Sequence, residues 1–237
     1  MLNQEIQMNQ SLLVSIVSHP YRDFKDKMRQ RVMKRYERPW MKSKELDIIS
    51  EVLLNLRPHH CLEWGSGYST AYFPALVKEI KNWYAVEHNK SWYKTISREV
   101  PEQVHIQCIE PDIHGDNVPE EVNDREKFRS YIQFADTIDE KLDFIFIDGR
   151  ARKECLKKAY EIICDDGIVI LHDANRLRYR EDMPLFKSSV LFTDHRKTRG
   201  GMWIGSKTRD IASVLRIRHH KRIWKVHKTI ARLMFSS

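Results

Sequence analysis

One short stretch constrains the fold of this chain more than any other: the apolar run His60–Glu63 leads into Trp64-Gly65-Ser66-Gly67, and a helical pattern follows over Thr70–Lys78. Glycines at a strand-to-helix turn let the backbone bend sharply and let a ligand approach it closely. The alternation then recurs. Apolar runs at Trp83–Val86, Val104–Ile109, Asp143–Ile147 and Ile168–Leu171 are interleaved with helical patterns at Lys90–Glu99, Asn123–Thr137 and Ala151–Ile163. Asp143-Phe144-Ile145-Phe146-Ile147 is apolar almost throughout, as strands covered on both faces are. Val190–Thr193 and Met202–Gly205, joined through Arg199-Gly200-Gly201 in a hairpin-like connection, bring the strands to seven. The expected fold is α/β: a Rossmann-like, doubly wound seven-stranded sheet, mostly parallel with an antiparallel C-terminal edge strand, and helices on both faces.

That pattern occupies residues 43–206, with a segment on either side. Its first helix starts at Ser43, the expected N-cap, carries Leu46, Ile49, Val52, Leu53 and Leu56 on one face, and ends before Pro58. Residues 1–42 read as a helical cap in which Tyr21–Tyr36 aligns Phe24, Met28, Val32 and Tyr36. Residues 207–237 read as a basic amphipathic helix or helix pair with Ile211, Val214, Leu215, Ile223, Val226, Ile230 and Leu233 as its apolar positions. Charge follows the same division. Residues 1–44 hold 10 Lys/Arg against 4 Asp/Glu, residues 45–205 hold 22 against 28, and residues 206–237 hold 9 against 1. The acidic body argues against nucleic acid bound across a catalytic face. No run approaches the roughly 20 apolar residues of a membrane span. The apolar patch Leu12–Val17 lacks the preceding positive charge of a secretory signal, and Cys61, Cys108, Cys155 and Cys164 form no Cys-x-x-Cys pair. A reducing, cytoplasmic setting is expected.

The Gly-x-Gly turn does not read as a dinucleotide site. Such a site carries Gly or Ala where this chain has Thr70, and a carboxylate beside the turn, Glu63, suits a ligand bearing an ammonium group better than a pyrophosphate. Glu87, 24 residues further on at the end of the second strand, can accept hydrogen bonds from both hydroxyls of a ribose. Two acids at neighbouring strand ends suit an amino-acid nucleoside.

These segments resemble the class I S-adenosylmethionine-dependent methyltransferases. Glu63-Trp64-Gly65-Ser66-Gly67 looks like their first motif, Tyr84-Ala85-Val86-Glu87-His88 like their second, Phe146-Ile147-Asp148-Gly149 like the fourth-strand motif and Gly167-Ile168-Val169-Ile170-Leu171-His172-Asp173 like the fifth strand. The likeness covers roughly residues 43–206 and leans toward the small-molecule and sugar O-methyltransferase branch, including members reading Ile-Asp-Gly-Arg-x-Arg. It implies that Glu63, Gly65 and Gly67 surround the methionine part of the cofactor, that Glu87 binds the ribose and that residues near Glu110 to Asp112 lie by the adenine. Ser66, Ser69 and His88 are expected as further cofactor contacts. The resemblance implies O-methylation of a small molecule, sugar or glycan.

Methyl transfer to a hydroxyl needs alignment and removal of one proton. Asp148, His172 and Asp173 stand at the carboxyl ends of adjacent central strands and are the expected catalytic residues, with His172 or Asp173 as base. Catechol-type relatives hold Mg²⁺ through equivalents of Asp148 and Asp173 and an Asn at the next position. Here that position is Ala174, with Asn175 one residue late, which weighs against the metal. Arg150, Arg152 and Arg176 are expected to bind an acidic or phosphorylated acceptor. Other expected contacts are an anionic inner membrane face, touched by the basic C-terminal helix, and a second copy of the chain. RNA methylation and a catalytically silent Rossmann module are the alternative readings. The Ile147-Asp148-Gly149-Arg150 stretch stands where RNA base N-methyltransferases often have Asn/Asp-Pro-Pro-Tyr/Phe.

Overall fold

The computed structural model describes residues 2–33, 38–113, 124–196 and 199–235, with side chains from residue 12 to 28 in the first helix and to residue 233 in the last. Seven strands form one sheet: β1 (His60–Trp64), β2 (Asn82–Glu87), β3 (Val104–Cys108), β4 (Leu142–Ile147), β5 (Ile163–His172), β6 (Ser188–Phe192) and β7 (Met202–Ser206). Their order is β3-β2-β1-β4-β5-β7-β6. The first five are parallel, and antiparallel pairing is confined to the C-terminal edge, where β7 lies between β5 and β6 and opposes both. The strand order reverses between β1 and β4, so their carboxyl ends diverge into the crevice where such sheets bind ligands.

Alternation along the strands feeds two cores. On one face Cys61, Trp83, Ala85, Phe144, Phe146, Ile168 and Ile170 pack with Leu46, Ile49, Val52 and Leu53 of the helix Ser43–Leu56. On the other, Leu62, Trp64, Val86, Ile145, Ile147, Val169 and Leu171 pack with Tyr131, Cys155, Leu156 and Ala159. Both faces of the sheet are therefore dry, as the apolar β4 sequence requires.

The helices are α1 (Leu2–Met33), α2 (Ser43–Leu56), α3 (Tyr68–Tyr72), α4 (Lys90–Ile96), α5 (Asp124–Lys127), α6 (Arg129–Gln133), α7 (Arg152–Ile162) and α8 (Ile217–Phe235). Several differ from the sequence expectation. The expected short helix at Tyr21–Tyr36 is, as far as Met33 where the described residues stop, part of the much longer α1, which runs through Pro20. Phe24 and Met28, expected on a packing face, are exposed together with Leu13, Val14, Val17 and Tyr21; the side chains of Val32 and Tyr36 lie outside the described residues. α1 instead packs through His19, whose Nε2 meets Asp47 Oδ2 of α2 at 2.6 Å.

Ser43 is the first residue of α2 and not its cap. Lys42 is the cap: its N–H donates to Glu45 Oε2 at 2.9 Å, and the Ser43 N–H donates to Asp23 Oδ1 of α1 at 2.8 Å. The expected helix at Asn123–Thr137 is broken into α5, α6 and a 3₁₀ turn, Phe134–Thr137. Asp165-Asp166-Gly167, expected as a turn before the fifth strand, lies inside β5, where the register against β4 shifts. The expected loop Pro111–Val122 falls largely outside the described residues.

α8 turns Ile223 and Trp224 inward. Trp224 is 2% exposed, with Lys44 Nζ 3.8 Å from its ring centroid and Phe192 of β6 beside it at 5.5 Å. Ile223 and Trp224 of the helix expected to touch a membrane face are thus taken up by packing within the protein, whereas Ile230 and Leu233 in its last turns are exposed. Among the described residues no helix is long and apolar enough to cross a membrane.

Candidate active site

The turn after β1 is built on close backbone approach. Gly65 has φ +98°, and a Cβ there would stand 2.4 Å from Gly149 Cα, so the β1 and β4 turns touch backbone to backbone. Only glycine permits both the conformation and the contact. Gly67 differs. Its extended backbone suits any residue, and a Cβ there would meet only Ser69 Oγ at 3.6 Å. The missing side chain leaves room in a cleft of about 500 Å³ lined by Gly65, Ser66, Gly67, Ser69, Glu87, His88, Asp148, Gly149, Arg150 and Arg152.

Glu87 is the fixed acid of this cleft. It is 3% exposed, its Oε1 accepts the backbone N–H of His88 (2.9 Å) and Asn89 (2.7 Å), and its Oε2 accepts Ser66 Oγ–H at 3.3 Å. The His88 ring lies 2.8 Å from Glu87 Oε1 through Nδ1, and edge-on to Phe128 and Tyr131. An aromatic panel that the sequence reading missed closes another side. Trp92 donates its indole N–H to the Ser66 carbonyl at 2.9 Å, and Trp40 and Tyr68 pack against Trp92 at 5.3 and 5.7 Å. The available signal was positional: Trp92 lies in the first turn of the helix capped by Asn89, directly after the second strand.

Two expected cofactor contacts are placed elsewhere. Glu63 is fully buried and does not line the cleft; its Oε1 accepts Ser69 Oγ–H at 2.5 Å and its Oε2 accepts the Trp83 indole N–H at 2.9 Å. Burial pushes its pKa up to about 8 against the pull of those donors. Glu63 therefore braces the turn from beneath, with both oxygens engaged. Glu110 also stands outside the cleft lining. It is exposed, 3.9 Å from Lys90 Nζ, because the Ile109 N–H is still held by the Glu87 carbonyl and the chain turns outward after it.

At the ends of β4 and β5 the three expected catalytic residues come together around Arg152. Its NH2 lies 2.9 Å from Asp148 Oδ1, its NH1 lies 3.5 Å from Asp173 Oδ2, and its guanidinium also donates to the Gly149, Asp148 and His172 carbonyls. That leaves Arg152 no free fork with which to clamp an acceptor, correcting its expected role. Arg176 is likewise engaged, with Tyr179 Oη (3.1 Å) and Asp173 Oδ2 (3.6 Å). Arg150 does line the first cleft, its Nε 3.3 Å from His88 Nε2.

His172 donates Nδ1–H to Asp148 Oδ1 at 2.8 Å, with its Nε2 3.5 Å from Glu45 Oε2. Burial alone would lower its pKa, but Asp148 and then Glu45 outweigh burial and hold it at about 10. Asp148 is correspondingly held below the ordinary range: burial would raise it, and His172 and Arg152 prevail. With Nδ1 on Asp148 and Nε2 toward Glu45, the buried ring sits between two carboxylates, and of the two expected bases Asp173 is the one carried forward. Asp173 adopts a left-handed backbone, φ 58°, and its Oδ1 accepts the Gly200 N–H at 2.5 Å.

This arrangement does not fit Mg²⁺. A guanidinium already spans Asp148 and Asp173, where a divalent ion would have to bridge them. Asn175 is turned into the β6–β7 connection, its amide donating to the Arg196 and Arg199 carbonyls and its Oδ1 accepting the Asp194 N–H.

A second cleft, about 460 Å³, shares Pro39, Trp40 and Met41 with the first and is lined also by residues of α1, the start of α2, the β5 end and the β6–β7 connection. The two clefts thus meet beside the β4 and β5 carboxyl ends.

No protein-family model matches this chain, and no curated protein matches its sequence. Solved structures do match. A protein described as a putative caffeoyl-CoA O-methyltransferase from Staphylococcus aureus aligns with TM-score 0.54 at 18% identity over 84% of this chain and 100% of its own. An O-methyltransferase from Bacillus cereus, solved in complex with SAH, aligns with TM-score 0.54 at 13% identity over 78% and 97%. Spermidine synthase from Thermotoga maritima aligns with TM-score 0.52 at 11% identity over 81% and 74%. Such identities speak to architecture, and the architecture alone does not select among these reactions. This chain has the Rossmann-like fold shared by those solved O-methyltransferases and the spermidine synthase.

Proposed function

We propose that this protein is an S-adenosylmethionine-dependent methyltransferase acting on a hydroxyl of a small-molecule acceptor, with a sugar or glycan as the preferred class. The observation that carries the reading is Glu87. A buried carboxylate at the tip of β2, locked by two backbone N–H groups, faces a cleft beside a glycine turn that leaves room for a nucleoside. The cleft volume suits a ligand of that size. The solved relatives of the same fold described as O-methyltransferases support the choice of reaction.

When bound, S-adenosylmethionine supplies a sulfonium-activated methyl group for in-line transfer. The chain's own contribution is positional. Glu87 accepts the ribose hydroxyls, and the Gly65–Gly67 backbone and the Trp92–Tyr68–Trp40 panel wall the cleft. Alignment of this kind supplies roughly 7–11 kcal/mol of barrier reduction. The acceptor hydroxyl gives its proton to Asp173 at Oδ2, while His172, held as a cation, fixes Asp148 and Glu45 on either side of it. A base so placed contributes a further factor of about 10²–10⁴.

Glu87→Ala removes charge-assisted hydrogen bonds to the ribose and should weaken cofactor binding by roughly 10- to 100-fold with the fold intact. Calorimetric titration with S-adenosylmethionine and S-adenosylhomocysteine checks this. Equal affinity for both proteins, or none for the wild type at millimolar cofactor, would sink the assignment. A turnover screen for S-adenosylhomocysteine release against sugars, nucleotide sugars and catechols then identifies the acceptor.

A further inference from the structure

The charges lining the second cleft divide into those already paired within the protein and those that are not. Asp23 accepts the Ser43 N–H at 2.8 Å, and Asp26 lies 3.6 Å from Arg38. Glu45 is held between the Lys42 N–H and His172, and Asp173 between the Gly200 N–H and the guanidinium groups of Arg152 and Arg176. Every acid on the wall therefore has its partner. The cations do not balance in the same way. Lys42 and Arg196 share Asp194, at 2.8 and 3.4 Å. Lys27 and Arg199 are both exposed, and among the described residues neither side chain has a hydrogen-bond or ion-pair partner.

Resting on the reading of the first cleft as the cofactor site, we propose that the second cleft is the acceptor subsite and takes a methyl acceptor bearing an anionic group, carboxylate or phosphate, against Lys27 and Arg199. The location is right for transfer, because this cleft shares a wall with the first and contains Asp173. The chemistry follows from the charge pattern: two unmatched cations beside neutralised acids favour an anion. The planar guanidinium of Arg199 adds the fork geometry that binds either group through two oxygens. Lys27 comes from α1 and Arg199 from the β6–β7 connection, so the bound anion joins the N-terminal helix to the end of the sheet. Arg152, which the sequence alone put forward for this task, is displaced from it by its bonds to the β4 and β5 ends.

The test is calorimetric titration of the full chain with inorganic phosphate and, separately, with acetate. Wild type, the double variant Lys27→Ala/Arg199→Ala and the α8 control Lys221→Ala are compared at constant ionic strength. All three positions are exposed, so the cores are untouched. At least one anion should bind wild type saturably in the millimolar range. The double variant should bind it about 10-fold or more weakly, and the control should match wild type. Phosphate binding alone assigns a phosphorylated acceptor; acetate binding alone assigns a carboxylic acid. Affinity unchanged in the double variant, or no saturable binding of either anion by wild type, overturns the subsite. S-adenosylhomocysteine is titrated in parallel. Its failure to bind wild type defeats the cofactor reading, whereas its binding without any anion binding defeats only the acceptor subsite.

Discussion

Glu63 shows how far a residue's role depends on what surrounds it. Beside a glycine turn it reads as a partner for an ammonium group; in the fold it is sealed beneath the turn with Ser69 and Trp83 on its oxygens. Burial pushes its pKa to about 8 from an ordinary 4.5, so between those values the folded chain keeps a proton that the unfolded chain has lost. Stability from this residue is therefore fully present below about pH 4.5 and is lost as pH rises toward and through 8. Glu63→Gln imitates the neutral acid, with its amide N–H₂ toward Ser69 and its carbonyl toward Trp83. The melting temperature of wild type should drop more between pH 5 and pH 9 than that of the variant. Parallel curves would show that Glu63 is ionised throughout. His172 and Arg152 carry the same lesson: the end of the fifth strand for one and the start of the helix after the fourth strand for the other were readable, but not the salt-linked chain Glu45–His172–Asp148–Arg152–Asp173 that holds both side chains.

The flanking helices divide their faces differently. α8 has a clear amphipathic pattern, and its buried side inserts Trp224 between Lys44 and Phe192. Truncation there removes a large buried ring whose space the neighbours cannot fill. Trp224→Ala should cost about 3–5 kcal/mol in a urea unfolding experiment. A cost below about 1 kcal/mol would mean that α8 is a peripheral attachment. α1 has the opposite character: its apolar residues Val17, Tyr21 and Phe24 face outward, while its contact with α2 is made by His19, Arg22 and Asp23. A periodicity argument that assigns apolar side chains to the interior fails there because the packed face of α1 is polar and hydrogen-bonded.

Across the whole molecule, the N-terminal helix, the sheet and the C-terminal helix behave as one body in the contacts they share. Ile211, Val214, Leu215 and Trp224 belong to the same core as β1, β4 and β5, and Asp23 of α1 accepts the N–H of Ser43, the first residue of α2. Heat unfolding followed by far-ultraviolet circular dichroism and by tryptophan fluorescence should therefore give coincident transitions; a separate early loss of helix would mark the termini as independent units. The alternation of apolar runs with helical patterns, the Gly65 turn and the acid ending β2 were all determined by the sequence, because strand burial and left-handed turns impose local requirements on residue type. Tertiary structure alone decided which side chains face a cleft. Glu63 and Glu87 lie at the carboxyl ends of neighbouring strands, one residue before the last of β1 and at the last of β2, yet one is closed off by Ser69 and Trp83 and the other opens beside Gly67. Lys27 and Arg199 are 172 positions apart in the chain, and their shared cleft exists only because α1 folds back over the end of the sheet.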